Sequence, residues 1–235
     1  MIKSKRAKCF LIALPLMVSV ATAGDFEAGL TAYNLKNYSV ALQKFKKAAS
    51  QGDVDAQNNL GVMYSDGNGV AQDFAEAIRW YQLAAAQGNA GAQFNLALRY
   101  EKGQGVVPDI TEAERWYRLA ATQGHAGAQY NLGNSYYEGK SVQKDFAEAV
   151  RWYRLAAVQG HANAQFNLAL RYARGEGVAQ DYSSAHIWFN LAAVKGDKDA
   201  AKNRDLAANK MTPQQILDAQ KLARECQVSS YKNCG

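Results

Sequence analysis

The phrase AQFNLALRY occupies residues 92–100 and returns, letter for letter, at residues 164–172. A catalytic constellation is built once, so exact reuse of an asymmetric phrase points to architecture before chemistry. Aligning the chain with itself gives one dominant step of 36 residues. Trp80, Trp116, Trp152 and Trp188, all the tryptophans present, keep that step without an insertion, as do Leu60, Leu96, Leu132 and Leu168, Tyr64, Tyr100, Tyr136 and Tyr172, and the glycines from Gly52 to Gly196. A fixed period of this length marks a solenoid, in which each unit buries its apolar face against its neighbours.

Within each unit the apolar spacing is helical. Ala56, Leu60 and Tyr64 stand at i, i+4 and i+8 on one face; Ala77, Trp80, Tyr81, Ala84 and Ala85 form a second such face. The intervening SDGNGVAQD carries the Gly and Asp residues that stop one helix and start another. Each second helix closes on Gln-Gly or Lys-Gly, because glycine takes the left-handed backbone that follows a C-cap. Paired alanines such as Ala120 and Ala121 allow close helix approach, and the tryptophans fill the space beside them. The expected fold class is all-α, a solenoid of antiparallel helix pairs, with units at 56–91, 92–127, 128–163 and 164–199.

The ends differ from the middle, as solenoid ends do. Residues 24–55 hold a helix pair in which Ala41, Phe45 and Gly52 lie one period before Ala77, Tyr81 and Gly88, with a connection five residues shorter. Residues 200–235 supply capping helices, the last opened by Thr212 and Pro213. Residues 1–23 read as a secretory signal peptide: Lys3, Lys5, Arg6 and Lys8 precede an apolar run from Phe10 to Val20 that closes on Ala21-Thr22-Ala23, with cleavage before Gly24. The run is shorter than a membrane span and Pro15 interrupts it, so retention as an anchor is the weaker reading.

Cleavage changes the electrostatics. The full chain has 27 Lys plus Arg against 21 Asp plus Glu, net +6; losing the four leader cations leaves 23 against 21, or +2. A nucleic-acid partner then loses its compositional support, and no later segment suits stable membrane insertion. Cys226 and Cys234 remain, an even pair that an oxidising compartment would join as a disulfide.

Units such as AQNNLGVMYSDGNGVAQDFAEAIRWYQLAAAQG (56–88) resemble the Sel-one-like repeat, a relative of the tetratricopeptide repeat, over roughly residues 26–225; residues 24–55 look closer to a tetratricopeptide. The resemblance implies a right-handed α/α superhelix whose first helices line a concave face that binds protein partners. The loop GKSV (139–142) departs from GNGV, GQGV and GEGV, because Ser141 replaces the second glycine, which puts that loop's backbone path in question.

With Ala92, Leu96 and Tyr100 in the core, Phe94 and Leu98 define a second stripe and Asn95 and Arg99 a third. The matching positions elsewhere include Asn59, Tyr130, Asn131, Phe166, Asn167 and Arg171. Asn is a mediocre helix former, so its recurrence needs a reason: either the side chains tie neighbouring helices together, or they form an amide ladder that holds a partner's backbone beside Phe94, Tyr130 and Phe166. Positions that vary between units carry the selective signal, among them Glu101, Lys102, Tyr137, Glu138 and Arg174. The candidate partner-binding set is therefore Asn59, Phe94, Asn95, Arg99, Lys102, Tyr130, Asn131, Tyr137, Glu138, Phe166, Asn167, Arg171 and Arg174; the alternative for its charges is a solvated face.

Catalysis finds little support. His125 and His161 occupy equivalent turns that cannot converge, and no nucleophile elbow, phosphate loop or metal-ligand spacing occurs; neither cofactor nor metal is expected. Two readings remain: a periplasmic or secreted scaffold that binds an envelope or signalling protein, and, from the resemblance, an immunity protein that neutralises a secreted toxin such as a phospholipase. A β-lactam or cell-wall enzyme ranks below both.

Overall fold

The computed structural model describes residues 16–229 and 231, with side chains from residue 24 onward. The described residues form twelve helices and no strand, in two compact units divided between Gln87 and Gly88. The first unit holds α1 (Leu16–Asn34), α2 (Tyr38–Ser50), α3 (Val54–Asp66) and α4 (Phe74–Ala86). The second holds α5 (Ala90–Lys102), α6 (Ile110–Thr122), α7 (Ala126–Glu138), α8 (Phe146–Ala157), α9 (Ala162–Arg174), α10 (Tyr182–Val194), α11 (Lys198–Ala208) and α12 (Pro213–Val228). Helices pair as α1 with α2, α3 with α4, α5 with α6, α7 with α8 and α9 with α10. Of the expected leader, residues 1–15 lie outside the described residues, and the backbone of residues 16–23 opens α1.

Each first helix begins two residues before the sequence units drawn from Ala56, at a side-chain N-cap: Asp53, Asn89, His125, His161 and Asp197. Asp73, Asp109, Asp145 and Asp181 cap the second helices. Such a cap contributes about 1 kcal/mol by pairing a backbone N–H that the helix leaves unmatched. The core face follows the periodic script, with Ala92, Leu96, Ala128, Leu132, Ala164 and Leu168 fully buried. Among the tryptophans, Trp152 and Trp188 are buried, and Arg115 and Arg151 stack over Trp116 and Trp152 at 4.2 and 4.3 Å.

The second residue of the repeated phrase supplies the main polar tie. Gln57, Gln93, Gln129 and Gln165 are all buried. The amides of Gln57, Gln129 and Gln165 donate backward to the carbonyls of Ala49, Ala121 and Ala157, at the end of the preceding helix pair. Their carbonyl oxygens face forward: Gln87 donates to Gln57 at 2.8 Å, Gln123 to Gln93 at 2.7 Å and Gln159 to Gln129 at 2.7 Å. One side chain thereby stitches its own second helix to the one before. The rung is incomplete at Gln165, whose Oε1 is buried without a partner, because Lys195 stands where the other units place Gln.

The C-terminal cap departs from the pairing rule. α12 packs on α10 rather than forming a comparable pair with α11, and its Cys226 joins the core of the second unit. Cys234 lies outside the described residues.

Candidate functional site

The path of the GKSV loop decides where the second unit opens. In the other long loops the second glycine adopts left-handed backbone, with φ of 72° at Gly69, 78° at Gly105 and 74° at Gly177. A Cβ on Gly177 would meet the carbonyl oxygen of Phe146 at 2.2 Å, so this glycine is what lets the loop lie on the start of a preceding second helix. Ser141 does not take that conformation. Its hydroxyl instead donates to Glu114 Oε2 at 3.0 Å. A cavity of about 350 Å³ lies beside the shifted loop, lined by Ile110, Ala113, Glu114, Tyr117, Glu101, Ser135, Lys140 and Ser141. A smaller recess of about 90 Å³ continues from it along Asn131, Asn134 and Glu138.

Three helices therefore contribute to one acidic cleft: α5 through Glu101, α6 through Glu114 and Tyr117, α7 through Asn131, Asn134, Ser135 and Glu138. Its charges are partly balanced. Glu114, buried, pairs with Arg118 at 2.9 Å; Glu138 pairs with Lys140 at 2.5 Å; Tyr117 donates to Glu101 at 2.6 Å. Burial, and then the neighbouring Glu101 carboxylate, push the Tyr117 hydroxyl well above the ordinary phenol value, which keeps it a proton donor to Glu101. Three carboxylates against Lys140 and Arg118 leave the lining net negative. The chemistry on offer is hydrogen bonding and attraction of a cationic group; among the described residues no cluster suits a metal.

The candidate residues divide between this cleft and the packing. Asn131 and Glu138 line it, while Lys102 and Arg174 are exposed at the ends of α5 and α9. Asn131 and Asn167 also serve as ties, hydrogen-bonding the hydroxyls of Tyr117 and Tyr153 on the preceding second helix. Asn167 additionally donates to Asn134 Oδ1 at 3.3 Å, which accepts from Tyr153 at 2.8 Å. Where the preceding second helix carries Phe45 or Phe189 in place of that Tyr, Asn59 and Asn203 turn back to their own helix, at Asp55 O and Asp199 O. Asn95 is half-buried.

The aromatic stripe is likewise packed. Phe94 stacks on His125 at 4.4 Å and Tyr130 on His161 at 4.8 Å, while Phe166 meets Phe189 edge-on at 5.6 Å. Arg99 is half-buried, but Arg171 is only 3% exposed, with its guanidinium 4.1 Å from the Tyr137 ring centre and 2.6 Å from Glu176. Arg171 and half-buried Tyr137 thus spend their surfaces on each other, and Arg171 is removed from the set that can touch a partner directly. The residues missed in the sequence, Glu114, Tyr117 and Asn134, had one available signal: the GxGV loop broken at Ser141.

Comparison with known proteins agrees with this architecture. The Sel1 repeat model matches residues 35–53, 54–89, 90–125, 126–161 and 162–197. A protective antigen of uropathogenic Escherichia coli displaying an SLR fold is 34% identical with a TM-score of 0.76, covering 88% of this chain and 46% of that one, so the chain spans under half of that antigen's length. A Sel1 repeat protein from Oxalobacter formigenes is 40% identical with a TM-score of 0.68, over 74% of this chain and 72% of that one. An immunity protein from Pseudomonas aeruginosa shares the fold at 22% identity and a TM-score of 0.52, covering 88% and 81% of the two chains. No curated protein matches. Sel1-repeat proteins are protein-interaction scaffolds, generally without catalysis, and no helix among the described residues is long and apolar enough to cross a membrane. From its repeats, its all-α helical-repeat solenoid and these likenesses, the chain belongs to the Sel1 repeat family.

Proposed function

We propose that this chain is an exported scaffold that holds a protein partner by seating one of its basic side chains in the cleft of α5, α6 and α7. The observation that carries the reading is the convergence of Glu101, Glu114 and Glu138 with the amides of Asn131 and Asn134 around a cavity lined by Ser141. A Lys or Arg entering there meets carboxylates that accept from its donors and balance its charge. Exposed Lys102 and Arg174 flank this region and favour acidic groups at the partner's periphery. Export by the N-terminal leader places the protein in the periplasm or outside the cell, where Cys226 and Cys234 join. In the immunity reading the partner is a secreted toxin; the scaffold reading is preferred because a likeness of 22% identity speaks for the fold alone.

The test is capture from periplasm by the mature chain, beside Glu101→Gln with Glu138→Gln and beside Ser141→Gly. Removing two carboxylates, or restoring the tight loop, should lower partner affinity about 10-fold or more and flatten its salt dependence. Unchanged capture by both variants refutes the cleft. Intact mass of the same preparation should lack residues 1–23.

A further inference from the structure

The solenoid script breaks a second time, at the C-terminal cap, and there the break leaves an open cavity with charged side chains in its wall. In α3, α5, α7 and α9 the core face reads Ala, Leu, Tyr, with Gly or Ala just after the Leu. One period further on, α11 reads Ala200, Arg204 and Ala208, with Asp205 after the Arg. A core leucine has become arginine, a small residue aspartate, and the tyrosine that would fill the space has become alanine. Because α12 leans on α10 and not on α11, the volume stays open: a cavity of about 330 Å³, lined by His186 and Asn190 of α10, Arg204, Asp205 and Ala208 of α11, and Ile216, Gln220 and Arg224 of α12.

Of the lining side chains His186 is 2% exposed and Arg204 half-buried, while Asp205 and Arg224 reach solvent. The Arg204 guanidinium is held in place, bonding Asp205 Oδ1 at 2.8 and 2.9 Å and Asn190 Oδ1 at 3.3 Å. Arg224, across the cavity, has no acidic partner among the described residues. Burial, and then Arg204, hold the His186 imidazole below its ordinary value, so at neutral pH it adds no charge.

With Arg204 offset by Asp205, the cavity carries a net charge of about +1. That balance fits a single negative charge, and Asp205 in the wall opposes a dianion. A guanidinium fork matches the two oxygens of a carboxylate. Asn190 and Gln220 offer further hydrogen bonds, and Ile216 and Ala208 an apolar wall. The volume is at the small end for ligand pockets. We propose that this cavity is a binding site for a carboxylate, borne either by a small organic acid or by the free C-terminus of a peptide, with Arg224 as its main charge partner.

The test is calorimetric titration of the mature chain with N-acetylalanine, N-acetylalaninamide, an N-acetylated alanine tripeptide with a free C-terminus, and inorganic phosphate. The carboxylates should bind one to one, and the amide and phosphate at least about 10-fold more weakly. Arg224→Ala, at an exposed position on α12, should weaken carboxylate binding at least about 10-fold while leaving the unfolding temperature of the free protein unchanged, and Arg224→Lys should keep part of it. Equal binding of both carboxylates identifies a small acid; tighter binding of the tripeptide identifies a chain terminus. No saturable binding below about 10 mM, an amide that binds as well as the acid, or an Arg224→Ala variant that binds normally overturns the site.

Discussion

Replacing Lys195 with Gln should make the protein more stable, although it removes a hydrogen bond and a cation–π contact. In three units the glutamine before the closing glycine donates to a buried glutamine oxygen at 2.7 to 2.8 Å. In the fourth, Gln165 is fully buried with Oε1 unpaired, while exposed Lys195 bonds the Gly160 carbonyl and lies 4.9 Å from the Tyr231 ring. An unpaired buried acceptor costs about 1 to 3 kcal/mol. The contacts of an exposed lysine contribute about 0.5 to 1 kcal/mol. The net gain for Lys195→Gln is then about 1 kcal/mol, or a rise of roughly 2 to 4 °C in unfolding temperature. Lys195→Ala is the control, since it loses the lysine contacts without completing the rung and should fall slightly below the native protein. Thermal unfolding by circular dichroism, with amide exchange at the end of α10, reads both changes. If Lys195→Gln is no more stable than Lys195→Ala, the glutamine rung does not tie the units and the account of Gln165 is refuted.

Two further outcomes follow from the same packing. His125 and His161 cap α7 and α9 by accepting from Ala128 N and Ala164 N at Nδ1, at 3.2 and 3.3 Å, and burial, joined at His161 by the Lys195 charge, holds both below the ordinary value of 6.5. Protonation removes the lone pair that caps the helix, so their stability is fully present above about pH 6.5 and is lost as pH falls through the depressed folded values; unfolding temperature measured from pH 7.5 to 5 should fall less steeply in the His125→Asn, His161→Asn double variant, leaving the share that belongs to His186. Arg171→Glu should cost about 3 kcal/mol or more, because it sets a buried carboxylate beside Glu176, whereas Arg174→Glu at an exposed position should stay within about 0.5 kcal/mol; urea unfolding distinguishes them.

The helix pairs were legible because packing asks the same of every unit, and a constraint imposed four times leaves a period in the text. The glutamine rung is equally periodic but carries no mark in the sequence: Gln57, Gln93, Gln129 and Gln165 look like ordinary polar positions apart from their distant partners, which for the first three are Gln87, Gln123 and Gln159. The duty of the asparagines was written as a correlation rather than as a residue. Asn131 and Asn167 reach a tyrosine hydroxyl in the preceding unit, and Asn59 and Asn203 turn inward where that residue is Phe45 or Phe189. A one-letter comparison of first helices alone cannot show it.

Arg99 and Arg171 sharpen the point, because they sit in nine identical residues. Arg171 lies between Tyr137 and Glu176; the residues one period-pair earlier, at the same distances in sequence from Arg99, are Ser65 and Gln104, with neither ring nor carboxylate. The local phrase therefore sets the helix and its core face, while the fate of its arginine is set by residues that the phrase does not contain, one nearly a unit before it and one five positions after it. Both cavities obey the same rule from the other side. One lies beside Ser141, where the loop glycine is missing, and the other beside Arg204, Asp205 and Ala208, where leucine, a small residue and tyrosine are missing. Regular positions also hold unpaired groups, at the indole nitrogens of Trp80, Trp116 and Trp152, and a cavity beside Gly177, but at Ser141 and Arg204 the departure from the repeat sets which side chains face the space. Binding in this chain is accordingly to be sought at the departures from the repeat.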